Sequence, residues 1–117
     1  MTRASIALPR PVWLLALTCC ASAAPSRQGV VDRAFADIQV HEARIDHSAA
    51  TLADASVDCE AVNAAAADGR AAQRALCEAA REVGDADALI RCERADRRMA
   101  SQEATAQTRC RSANETR

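Results

Sequence analysis

The chain has 117 residues, half of them hydrophobic by type, yet it holds one Phe, one Trp and no Tyr. That length allows one domain at most. All 15 basic residues are arginine; Arg3 and Arg10 precede Ala24, and 16 Asp plus Glu leave the chain from Ala24 onward at a net charge of −3. A mildly acidic surface argues against nucleic acid as a partner, because phosphate recognition needs a basic footprint. Abundant alanine with arginine in place of lysine is the bias expected of a GC-rich bacterial genome.

The N-terminal stretch reads as a signal peptide over residues 1–23. Arg3 and Arg10 give it a positive start, Val12-Trp13-Leu14-Leu15-Ala16-Leu17 is a short apolar run, and Ala21-Ser22-Ala23 is a small-x-small cleavage pattern. The apolar run falls well short of the ~20 residues a membrane-spanning helix needs. A second processing route competes with simple secretion. Leu17-Thr18-Cys19-Cys20 is similar to the lipobox of bacterial lipoproteins, with Cys20 as the residue that would be acylated and would tie the protein to a membrane. Cys19 departs from that pattern, which usually has Gly, Ala or Ser there. Residues 24–29, small and polar, read as a flexible tether.

A first helix is expected over about residues 30–54. Val31, Phe35, Ile38, Ile45, Ala49 and Leu52 repeat in steps of three and four, with Glu42 filling the one gap, which makes a heptad stripe. A second helix is expected over about 58–83, with a face of mostly small residues: Cys59, Val62, Ala66, Gly69, Gln73, Leu76, Ala80 and Val83. Small residues let helix axes approach toward the low end of the roughly 8–10 Å range. Gly69 costs about 1 kcal/mol relative to Ala inside a helix and is a candidate kink. Asp54, Ser56 and Asp58 can each cap the second helix, although Cys59 also continues the heptad of the first, so a break and a continuous helix both fit the pattern. A third helix is expected over about 87–111, with Ala88, Cys92, Ala95, Met99, Ala106 and Cys110 on one side, and a frayed tail over 113–117. Gly84 suits the left-handed end of the second helix, and Asp85 or Asp87 the start of the third.

Beyond the leader four cysteines remain, Cys59, Cys77, Cys92 and Cys110, with 18 residues in each outer gap. Eighteen residues at 100° each are five full turns, so each pair lies on one face of its helix. Both the inner and the outer pair are centred between Gly84 and Asp85, where the turn is expected on other grounds. Of the three connectivities four cysteines allow, two would bridge roughly 27 Å along helices, whereas a disulfide needs Cα atoms about 4.4–6.8 Å apart. Cys77–Cys92 nested inside Cys59–Cys110 survives. The expected fold is all-α, a three-helix bundle built on an antiparallel hairpin tied by these two bridges. Staples suit a domain whose core is thin in large side chains.

Chemistry beyond the staples finds little support. Zinc ligands usually come in close pairs, and none occurs after the leader. His41 and His47, six apart, fall on different sides of the first helix and read as solvated. Arg91, Arg94, Arg97 and Arg98 interleave with Glu93 and Asp96, which reads as a salt-bridged solvent face, with Glu93 and Arg97 an i,i+4 pair.

Leu76-Cys77-Glu78-Ala79-Ala80-Arg81-Glu82 followed by Gly84-Asp85-Ala86-Asp87-Ala88-Leu89-Ile90-Arg91-Cys92-Glu93-Arg94-Ala95 resembles small exported or lipid-anchored, cysteine-containing helical proteins of myxobacterial type. The similarity covers about residues 35–110. It implies export and a cysteine-tied helical bundle, and it implies no activity.

The expected role is therefore non-enzymatic and cofactor-free: an exported protein of periplasm, outer membrane or extracellular space, acting through protein contacts or as a spacer. A partner, or a second copy, could dock on the Val31, Phe35, Ile38, Ile45, Leu52 stripe if the hairpin leaves it uncovered. The alternatives are a small binding module for a metal ion or lipophilic ligand, and a secreted inhibitor or toxin-like helical hairpin.

Overall fold

The computed structural model describes residues 24–116. The expected leader, with the candidate lipidation site Cys20, lies outside the described residues. Three helices follow one another, α1 over Arg27–Ala53, α2 over Cys59–Val83 and α3 over Ala86–Glu115. They pack as an up-down-up bundle in which α2 contacts both neighbours along its length.

Each boundary has a local cause. α1 starts three residues inside the stretch expected to be a tether, because the Ser26 side chain accepts a bond from the Gly29 amide at 3.1 Å and caps the helix. α1 and α2 are separate helices. The Asp54 carboxylate turns the chain by accepting from the Ser56 amide and hydroxyl at 2.9 and 2.6 Å, and Asp58 then caps α2 through the Ala61 amide at 2.9 Å. The two bonds from Ser56 hold the Asp54 carboxyl below its ordinary pKa, the hydroxyl first and the amide second. Gly84 ends α2 with φ +65°, and Asp85 caps α3 by accepting from the Asp87 and Ala88 amides. Asp87 sits in the first turn, where its charge favours the helix N-terminus. α3 runs on to Glu115, past the expected end near 111, since no Gly or Pro follows Cys110 to stop it.

The core has two parts. The larger gathers Ile38, Ile45, Ala72, Leu76, Cys77, Ala80, Ala88, Ala95 and Met99, with Phe35, Val83 and Cys92 against its edge. The smaller, toward the α1–α2 loop, holds Leu52, Val62, Ala66 and Ala106, with Val57 and Cys110 alongside. Ile38, Ile45, Leu76, Met99 and Val62 are fully buried, each worth about 1.5–3 kcal/mol of transfer free energy. The heptad stripe of α1 is thus spent inside the molecule at Ile38, Ile45 and Leu52. Its first residues, Val31 and Phe35, and Ala49 near its end keep part of their surface in water.

Gly69 is not a kink, and α2 passes through it unbroken. Its role is contact. A Cβ built there would lie 2.7 Å from Ser48 Oγ and 3.0 Å from both Met99 Sδ and Cε, so the missing side chain lets α1 and α3 close on α2 at one level.

Candidate functional site

The cysteines take the nested arrangement. Cys59–Cys110 joins the start of α2 to the late turns of α3 with Cα atoms 5.4 Å apart, and Cys77–Cys92 joins the helices near their turn with Cα atoms 4.8 Å apart. The bridges differ in setting. Cys77 is 1% exposed and belongs to the larger core cluster, whereas Cys59 and Cys110 are both half-buried at the rim of the smaller one. The buried Gln73 amide donates to Cys77 Sγ at 3.3 Å and so finds a partner inside the core. Two disulfides are bonds of an oxidising, extracytoplasmic compartment. No described helix is long and apolar enough to cross a membrane.

Between the two core clusters lies a polar layer. Ser48, 2% exposed, donates its hydroxyl to Ala65 O at 2.7 Å and lies 3.2 Å from Gln102 Oε1, while Gln102 Nε2 reaches back to Ile45 O at 3.5 Å. Sequence periodicity named Ala49, not Ser48, as the inward residue at this level. The true inward face lies one residue earlier because Gly69 leaves room opposite it.

Charged side chains tie the helices around this core. The Arg70 guanidinium grips Glu103 with two bonds, at 2.8 and 2.6 Å, and reaches Asp96 at 3.1 Å and Gln73 Oε1 at 3.3 Å. The Glu103 bond raises the Arg70 pKa, with burial opposing, and the same bond holds the Glu103 carboxyl below its ordinary range. Glu42, the gap in the heptad, meets Arg91 of α3 at 3.1 Å, and the Arg91 guanidinium also takes Asp87 and stands 5.4 Å over the Phe35 ring. Arg98 pairs with Asp46, and Arg44 with Asp68 at 2.8 Å. The expected Glu93–Arg97 pair is present at 3.8 Å with both side chains about three-quarters in water, where such a pair contributes little. The arginines of 91–98 thus act mainly as ties to α1 and as solvent face.

Two further features escaped the sequence. Arg109 donates to Leu52 O at 3.0 Å and to Val57 O at 2.7 Å, so α3 supplies the cation that α1 lacks in its own last turn. Its only sequence signal is position, one residue before Cys110. His41, expected to be solvated, is half-buried, and its Nδ1 lies out of water without a partner among the described residues. It falls one turn from both Ile38 and Ile45 and is carried inward with them. His47 is exposed.

The surface carries Val30, Val40, Leu89 and Ile90 as exposed aliphatics, Val40 at 59% and Ile90 at 51%. An open groove of 230 Å³ runs between the start of α1 and the end of α2, past Val30, Ala34, Ala79 and Val83. A second, of 520 Å³, lies beside Cys59 between the α1–α2 loop and the end of α3. Among the described residues no three His, Cys, Asp or Glu side chains converge on a point suited to a cation. No family model, curated protein or solved structure matches the chain.

Proposed function

We propose that this protein is a non-enzymatic helical protein of the bacterial envelope or the extracellular space that works through protein contacts or as a structural spacer. The observation that carries this reading is the exposure of Val40 and Ile90 on a bundle whose other large aliphatics are mostly spent in its core or against its edge. Exposed aliphatic side chains on a helical bundle are the kind of surface a protein partner covers. Because Ile38, Ile45 and Leu52 are buried, contacts run through these outward residues and the edge of the stripe at Val31 and Phe35, not through the whole stripe. The resemblance to small exported or lipid-anchored helical proteins supports an envelope or extracellular location, and if the lipid route is the one taken, Cys20 is the anchoring residue.

Cross-linking in the native envelope tests the reading. Val40→Asp and Ile90→Asp should leave the helical circular dichroism unchanged and remove the cross-linked species seen with the unaltered chain. An identical cross-linking pattern in both variants would exclude these surfaces as the contact. Palmitate labelling that disappears in Cys20→Ser checks the anchor separately.

A further inference from the structure

The two disulfides are unequal, and the inequality has chemical consequences. We propose that Cys59–Cys110 is a reducible clasp, opened by a dithiol while Cys77–Cys92 stays closed, which releases the α1–α2 loop and the last turns of α3 together. Access is the first ground. Cys59 lines the open 520 Å³ groove together with Val57, Arg109 and Asn114, so an incoming thiol has a place to lie beside the bridge. In the inner bridge Cys92 is half-buried at the edge of the larger cluster, but Cys77 is sealed among Leu76, Ala80 and Ala88, so attack on Cys92 would have to expel a thiolate into the core.

Leaving-group chemistry is the second ground. Cys59 is the first residue of α2, where unpaired backbone amides favour a negative charge. A dithiol thiolate enters along the groove and attacks Cys59 Sγ, the sulfur–sulfur bond breaks, and Cys110 departs as a thiolate. Arg109 lines the same groove and favours the approaching anion, against the opposing charges of Asp58 and Glu60. The reagent's second thiol then attacks its own sulfur in the mixed disulfide and expels the Cys59 thiolate, which the helix start stabilises. The reagent ends as its disulfide, two electrons pass to the protein, and both cysteines take up protons as their equilibria require.

The third ground is what the clasp holds. The cluster beneath it consists of Leu52, Val62, Ala66 and Ala106, two large aliphatics and two alanines, and so has little cohesion of its own. The larger cluster and the inner bridge lie at the other end of the hairpin and do not depend on it. Opening would bare Val57, Leu52 and Val62, an apolar surface presented only in the reduced form.

Time-resolved reduction of the unaltered exported chain with dithiothreitol, quenched by iodoacetamide and mapped by mass spectrometry, tests this. Alkylated Cys59 and Cys110 should accumulate alongside an intact Cys77–Cys92 peptide, with the outer bridge reacting about tenfold faster or more, as access and leaving-group quality dictate. Tryptic cleavage at Arg109 and Arg111 should quicken at the same time while most helical circular dichroism remains. Alkylation of Cys77 and Cys92 first, or of all four together, would overturn the proposal. A Cys59→Ser/Cys110→Ser variant should show the same tryptic sensitivity without reductant and still melt cooperatively; a variant with no cooperative melt would equally refute an independent clasp.

Discussion

Gly69→Ala gives the sharpest test of the packing argument, because two effects of known sign oppose each other at one atom. Alanine in a helix interior is favoured over glycine by about 1 kcal/mol, so on local grounds the substitution stabilises. The new Cβ, however, would meet Ser48 Oγ at 2.7 Å and the Met99 Sδ and Cε atoms at 3.0 Å. Met99 is fully buried, so its thioether end can shift only by displacing neighbours. Ser48 cannot yield freely either, since its hydroxyl is bonded to Ala65 O, a bond worth about 1 kcal/mol net. Overpacking of this kind costs roughly 1–3 kcal/mol, and because the strained hydroxyl and the propensity gain roughly cancel, the net loss is about 1–3 kcal/mol. For a domain of this size that is a fall in Tm of roughly 4–24 °C. Thermal unfolding under non-reducing conditions measures it. Placing Gly69→Ala in a Ser48→Ala background removes the closest contact, and the double variant should melt at or above Ser48→Ala alone, a coupling of about 1 kcal/mol or more. A higher Tm for Gly69→Ala alone, or the same loss in both backgrounds, would show that the helices do not close at this level.

Other substitutions address the polar ties. Arg109→Ala removes the two bonds to Leu52 O and Val57 O and should cost about 1–2 kcal/mol in chemical denaturation, with faster hydrogen exchange confined to the loop around residues 54–58. Arg70→Gln breaks the grip on Glu103, a partly solvated pair, and should cost about 1 kcal/mol or less. The Glu103 carboxyl has its pKa lowered by folding, so its contribution is present above the ordinary carboxylate range and lost as pH falls through the lower folded value; acid titration of stability should be shallower in Arg70→Gln. Asp58→Ala removes the α2 cap and should cost about 1 kcal/mol by the same denaturation assay. Hydrogen exchange should also find α1 opening at lower free energy than α2 and α3, because only those two are covalently joined; equal protection in all three helices would contradict this.

The hairpin was legible in the sequence because its determinants are local or strictly periodic. Gly84 and Asp85 mark a turn by their own backbone preferences, and two equal gaps of 18 residues can meet across that turn in only one way. The inward positions of α3 at Ala88, Ala95, Met99 and Ala106 follow from 3.6-residue periodicity alone. What was not legible depends on a neighbour. Gly69 carries no signal that separates a kink from a close contact, since the reason for it is an oxygen on another helix. Ser48 is inward for the same reason, and a serine among alanines looks like surface. His41 shares its turn with two isoleucines and goes with them, although its polarity suggested water. Arg109 acts on carbonyls more than 50 positions away, which no spacing rule reaches.

Alanine explains why the molecule is tied in three different ways. An alanine-faced helix buries little area per residue, but it allows close approach, and close approach makes short-range polar bonds between backbones and neighbouring side chains feasible. Ser48 to Ala65 O is one such bond, possible because neither side of that contact carries bulk. The α2–α3 pair, faced largely with Ala, Gly and Cys, then receives both disulfides. α1 instead brings the larger aliphatics Ile38, Ile45 and Leu52 and is held by burial, with Glu42, Asp46 and Arg44 paired to the other helices around the rim. The helix with the better hydrophobic stripe is therefore the one without a staple. The staples stand where the apolar surface is thinnest, and the weaker of the two clusters lies under the more exposed bridge. Loss of that bridge would leave Leu52 and Val62 to hold the end of the bundle with Arg109 across it, whereas loss of an ion pair on α1 would leave its buried isoleucines in place.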